Sequence, residues 1–145
     1  MRIILVFCIS ITLFFGCSKR HTVLHKLDGT WKITTYKQTY INNLTSVIPS
    51  EGTFTFRSYN SKKEDFGSIA YTQSYSINGT ITNANENGNY HLTKKAKNIF
   101  VDLLNSDGSY QDERDYAIEI ITKTDVKLTV VFDDIFHTYV LRKIE

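Results

Sequence analysis

Hydrophobic and polar positions alternate along most of this chain. The cleanest run is Ile69, Tyr71, Gln73, Tyr75 and Ile77, interleaved with Ala70, Thr72, Ser74 and Ser76. Phe54 and Phe56 alternate with Thr53, Thr55 and Arg57, and Tyr116, Ile118 and Ile120 with Ala117 and Glu119. Val126, Leu128, Val130 and Phe132 follow the same rule, and Tyr139 with Leu141 close the series. A period of two is that of a strand with one buried face. Strands are predicted over 31–40, 52–59, 66–77, 80–83, 88–93, 98–104, 115–122, 126–132 and 136–143, eight or nine in all. Turn chemistry falls between them at Asn78-Gly79, Asn87-Gly88-Asn89, Ser106-Asp107-Gly108, Lys123-Thr124-Asp125 and Asp133-Asp134. Pro49 sits in a long link over 42–50, where a missing donor does no harm. No sustained 3.6-residue stripe appears, and single helical turns at 23–27 and 94–100 are the most that is expected. Short connections make neighbours antiparallel. The fold is therefore all-β, either an up-and-down barrel that abolishes its edges or a two-sheet sandwich.

One stretch breaks the alternation. Ile3 to Phe15 is continuously apolar behind Met1-Arg2, too short for a transmembrane helix of about 20 residues, and it ends at Gly16-Cys17. This layout resembles a bacterial lipoprotein signal peptide, which implies cleavage before Cys17 and acylation of that residue. The organisation expected is a signal peptide over 1–17, a polar tether over 18–26 and one domain over 27–145. Several acyl chains at about 0.8 kcal/mol per buried methylene would hold far better than one myristoyl group. Ser18 follows the cysteine where aspartate often marks inner-membrane retention, so the resemblance implies an outer-membrane lipoprotein facing periplasm or medium.

Composition agrees with that compartment. The chain has 145 residues and two cysteines; Cys8 falls inside the apolar run, so Cys17 alone would remain and no internal disulfide could form. A formal net charge of +2 gives no broad basic field, and nucleic acid is not an expected partner. Lys19 and Arg20 would lie near the headgroups.

Leu27-Asp28-Gly29-Thr30-Trp31-Lys32-Ile33 resembles the opening strand of the lipocalin superfamily, whose first motif is Gly-x-Trp. Arg114-Asp115-Tyr116 is similar to its second motif, and Tyr139 to Lys143 to the closing strand of short lipocalin-like lipoproteins. The resemblance implies an eight- or nine-stranded barrel in which Gly29 turns the chain inward, Trp31 closes one end and Arg142 lies over the indole. It decides for the barrel over the sandwich.

Catalytic chemistry finds little footing. His21 and His25 are four apart but lack further ligands for zinc, so no metal site is expected. Asp133 and Asp134 read as a turn, with His137 on the outer face. Asp112-Glu113-Arg114-Asp115 lacks the glycine and spacing of a calcium loop, and Lys94-Lys95-Ala96-Lys97 reads as a solvated loop. Neither a phosphate loop nor a nucleophile elbow is present. No cofactor is expected, and the chain reads as non-enzymatic. Tyrosines, by contrast, are abundant, and they suit a binding wall because they combine area with a hydroxyl. Strand phase makes Phe54, Phe56, Tyr71, Tyr75, Ile118 and Leu128 the candidate lining of a pocket for a small apolar ligand. The other expected role is structural or inhibitory, through contacts with an envelope protein at the polar stretch 83–89.

Overall fold

A computed structural model describes residues 18–58, 66–93 and 95–144 of the chain. The apolar run and Cys17, which carry the acylation reading, lie outside the described residues. One helix, α1 (Ser18–Leu27), leads into nine antiparallel strands. These are β1 (Gly29–Tyr40), β2 (Thr45–Ile48), β3 (Ser50–Ser58), β4 (Phe66–Ile77), β5 (Thr80–Leu92), β6 (Asn98–Leu104), β7 (Tyr110–Ile121), β8 (Asp125–Phe132) and β9 (Ile135–Lys143). From β3 onward each strand pairs with the next, β1 pairs with both β2 and β3, and β9 returns to β1 from Trp31↔Lys143 to Tyr40↔Ile135. The sheet is thereby a closed up-and-down barrel of eight strands, with β2 as the extra one.

The extra strand has a simple cause. The lower half of β1 pairs with β3 (Gly29↔Phe56 to Lys32↔Thr53), and its upper half pairs with β2 (Tyr36↔Ile48 to Thr39↔Thr45). Pro49, with no N–H to donate, falls between the two short partners and divides what would be one strand. The long link expected over 42–50 therefore contains β2, Thr45–Ile48.

Bulges re-aim two strands. Between Ile33 and Thr35 the β1–β9 register shifts, and the Thr34 hydroxyl donates to the Val140 carbonyl at 3.0 Å. Inward positions change from Trp31 and Ile33 to Tyr36 and Gln38, all buried. A second shift between Ile118 and Ile120 turns Ile121 toward the core and leaves Ile120 exposed, where simple alternation placed Ile120 inside.

Turns follow their residue chemistry with one exception. Asn78-Gly79 (φ 52° and 82°) and Asp133-Asp134 (φ 52° and 57°) have the paired positive φ of a type I′ hairpin. Asn87-Gly88-Asn89, expected as a turn, is instead the middle of one uninterrupted β5. There a Cβ on Gly88 would stand 2.4 Å from the Asp102 carbonyl oxygen of β6, so glycine marks a close strand approach. The segment expected as a tether is α1, which buries Val23, Leu24 and Leu27 across one end of the barrel. The single turn expected at 94–100 is absent, since β6 begins at Asn98.

Candidate functional site

The two ends of the barrel differ in kind. At the helix end, Leu27, Trp31, Phe56, Ile99 and Leu141 are almost wholly buried and form an apolar plug. Trp31, 0 % exposed, donates its Nε1–H to the Leu27 carbonyl at 2.6 Å and so ties the barrel to α1. Gly29, at φ 126°, turns the chain from helix into β1. Asp28 between them accepts from the Ser58 amide (2.8 Å) and hydroxyl (3.2 Å). The cation over the indole is Lys143, with Nζ 5.3 Å from the ring, and not Arg142 as expected. Strand phase explains the exchange: Leu141 points in, so Arg142 points out to Asp125 at 3.2 Å, while Lys143 reaches back under the barrel to donate to the Asp28 carbonyl.

At the other end the interior is polar and aromatic. Gln38 Nε2 donates to the Tyr36 hydroxyl at 2.9 Å, and the Tyr36 hydroxyl lies 2.7 Å from His137 Nδ1. Tyr71 donates to Gln73 Oε1, Gln73 Nε2 donates to Ser50 Oγ at 2.7 Å, and the Tyr71 and Tyr139 hydroxyls are 3.5 Å apart. Phe132 stacks on His137 with centroids 3.6 Å apart, and the Arg114 guanidinium sits 4.5 Å above the Phe132 ring. Arg114 faces Glu86 at 3.8 Å across the interior and Asp112 at 3.2 Å. Tyr75 closes on Tyr36 at 5.5 Å. These side chains, from β1, β3, β4, β5, β7, β8 and β9, make a belt around the inside wall.

His137 is the member the alternation misplaced. It is 3 % exposed and faces inward, because the Asp133-Asp134 turn sets Phe132 opposite Ile135 and Val130 opposite His137. Gln38 donates to the Tyr36 oxygen; with the Tyr36 proton directed at Nδ1, the neutral ring carries its own proton on Nε2. That Nε2 has no hydrogen-bond partner among the described residues. Burial first, and the Arg114 charge second, push the imidazole down to about 4. Burial likewise pushes the Tyr36 phenol up to about 12 and holds Tyr71, Tyr116 and Tyr139 higher still. His137, Tyr36, Tyr71, Tyr116 and Tyr139 thus form a neutral, hydrogen-bonding lining near neutral pH, beside Arg114 and its carboxylate partners Glu86 and Asp112.

The expected pocket residues divide between core and belt. Phe54 and Phe56 stack at 6.1 Å, and Phe54 also meets Tyr71 at 4.6 Å, Tyr139 at 5.2 Å and Tyr116 at 6.2 Å. Together with fully buried Leu128 and half-buried Ile118 they are packing, not an open wall. Tyr71 and Tyr75 belong to the belt. Beside Tyr75 lies a shallow cavity of about 400 Å³ walled by Pro49, Ser50, Glu51, Ser74, Ser76 and Ile81. Around this end every hairpin tip shows an apolar side chain: Ile41, Leu44 and Val47 from the β1–β2 hairpin, Ile81 from β4–β5, Tyr110 from β6–β7, Val131 and Phe136 from β8–β9. Gln38, Glu86, Arg114 and His137 were not singled out as interior by alternation. Gln38 and His137 lie beyond a bulge or a tight turn, and Glu86 sits in a polar stretch that reads as loop.

Asp115 of the Asp-Tyr pair accepts from Asn98 Nδ2 at 2.8 Å, and Tyr116 packs inside. Among the described residues no three His, Cys, Asp or Glu side chains converge as metal ligands, and no helix is long and apolar enough to cross a membrane.

No protein-family model matches the chain, and no curated protein matches it. Among solved structures it is similar to a redesigned β-barrel, at 17% identity and a TM-score of 0.51, over 85% of this chain and 96% of that one. A de novo designed fluorescence-activating β-barrel aligns at 13% identity and a TM-score of 0.49, over 81% of this chain and 93% of that one. A redesigned barrel bound to DFHBI aligns at 15% identity and 0.48, over 81% and 99%. The first establishes the architecture as a small β-barrel. None of the three indicates a lipocalin or lipoprotein family.

Proposed function

We propose that the chain is a lipid-anchored, non-enzymatic binding protein of the bacterial cell envelope, lipocalin-like in build, which takes a small apolar ligand at the hairpin end of its barrel. The asymmetry of the two ends carries this reading. The helix end is plugged by an indole and a docked helix, whereas the hairpin end has an apolar rim around an aromatic wall with one unused buried donor, His137 Nε2. An apolar ligand with a single acceptor suits that lining, because every other buried hydroxyl and amide of the belt already has a partner. The Gly16-Cys17 junction supports the anchor, and α1 starting at Ser18 would place the plugged end toward the membrane and the rim away from it.

Mass spectrometry of the full chain recovered from a bacterial membrane fraction tests both parts. The denatured protein should begin at an acylated Cys17; an uncleaved, unmodified start would overturn the anchor. Under native conditions a small molecule should stay bound and be lost from an Ile77→Arg variant, which places a charge where Ile77 packs against the core. If the native chain carries nothing, the ligand reading fails. The alternative, a structural or inhibitory envelope protein acting through contacts with a partner, draws on Ile41 at 72% and Leu44 at 61% exposure. It predicts that a photo-cross-linker at Leu44 traps one defined envelope protein.

A further inference from the structure

A second cavity, of about 500 Å³, lies at the plugged end and is lined by Thr22, His25, Lys26, Lys123 and Lys143. Its lining comes from three separate places: α1, the β7–β8 turn and the end of β9. His25 and Lys26 stand in the last turn of α1, where cations offset the helix dipole. That argument does not reach Lys123 or Lys143. Lys143 is held in place from two sides, by the Asp28 carbonyl and by the face of Trp31. Among the described residues the nearby carboxylates are turned to other work: Asp28 receives the Ser58 amide and hydroxyl, and Asp125 receives Thr124 and Arg142. Three lysines thus line one cleft that, among the described residues, holds no acid, while most of its wall is carbon contributed by the same side chains.

We propose that this cleft binds the headgroup phosphate of an anionic phospholipid. The cations and the Thr22 hydroxyl fit a phosphate that presents several acceptor oxygens, and the carbon wall fits the glycerol and first methylenes, for which a free inorganic anion has no use. The assignment does not depend on acylation. A Cys17→Ala chain should bind equally well, so failure here and failure of the anchor are separable.

The cleft reports on itself, because Lys143 touches Trp31, the only tryptophan. The full chain in neutral detergent micelles is titrated with phosphatidylglycerol, with phosphatidylcholine and with soluble glycerol phosphate, and Trp31 emission is followed. Phosphatidylglycerol should change the emission saturably and phosphatidylcholine should not. Lys26→Gln and Lys123→Gln should each raise the half-saturating lipid fraction about fivefold, from roughly 1 kcal/mol per lysine at a lipid surface, with Lys95→Gln as the exposed control. Equal responses to both lipids, or variants that titrate like the parent, would overturn the site. Glycerol phosphate matching the lipid at equal concentration would overturn the lipid as its occupant.

Discussion

Single side chains set the acid limit of this molecule. His137 is neutral inside the barrel and pushed down to about 4, whereas an unfolded histidine titrates near 6.5. The unfolded chain therefore takes up the proton first as pH falls. Stability is full above about 6.5 and drains between there and 4, by about 3 kcal/mol at 1.36 kcal/mol per pH unit. Denaturant midpoints measured from pH 7 to pH 4 should show this loss, and His137→Gln should remove about one proton from the slope. An unchanged slope would mean that the imidazole is charged in the fold. Exposed carboxylates held low by their neighbours, such as Asp125 beside Thr124 and Arg142, also weaken in acid, but they do so equally in both proteins.

Elements show where local residue chemistry prevails and where packing does. Gly88 illustrates the second case. Flanked by asparagines it has the composition of a turn, but β5 runs through it because the β6 backbone comes too near for any side chain. Gly88→Ala should cost about 2 kcal/mol or more by forcing β5 and β6 apart, read as a lowered melting temperature. The equivalent change at Gly79, whose Cβ position is open, should cost only the strain of its positive φ. Most strands were legible because one face is apolar, and Ile69 to Ile77 reads the same in sequence and in space; the polar stretches 84–87 of β5 and 110–114 of β7 carry no such signal. Helix α1 was not, because Val23, Leu24 and Leu27 are its only apolar anchors and they gain their partners from the barrel. The belt was half legible. Tyr71, Gln73 and Tyr75 kept their phase, but the shift at Thr34 and the turn at Asp133-Asp134 moved Gln38 and His137 inward beyond the reach of simple alternation.

For the molecule as a whole, the phenols define the alkaline limit. Tyr36, Tyr71, Tyr90, Tyr116 and Tyr139 are all raised, chiefly by burial. An unfolded tyrosine ionises near 10, so these groups favour the fold below that pH and cease to do so as pH rises through their higher folded values. Alkaline titration should therefore give one cooperative transition, with phenolate absorbance from the buried class appearing together with loss of the β-sheet circular dichroism. Buried phenolates forming in an intact fold would contradict the packing described.

The seam between β1 and β9 has a consequence for how the chain is born. Trp31 finds Lys143 only across more than a hundred intervening residues, so the ring is sealed only when β9 reaches β1. Contacts that distant in sequence form slowly. Until they form, both margins of an eight-stranded ribbon stand bare and sticky. A copy whose ninth strand has not yet docked would be a seed for clumping.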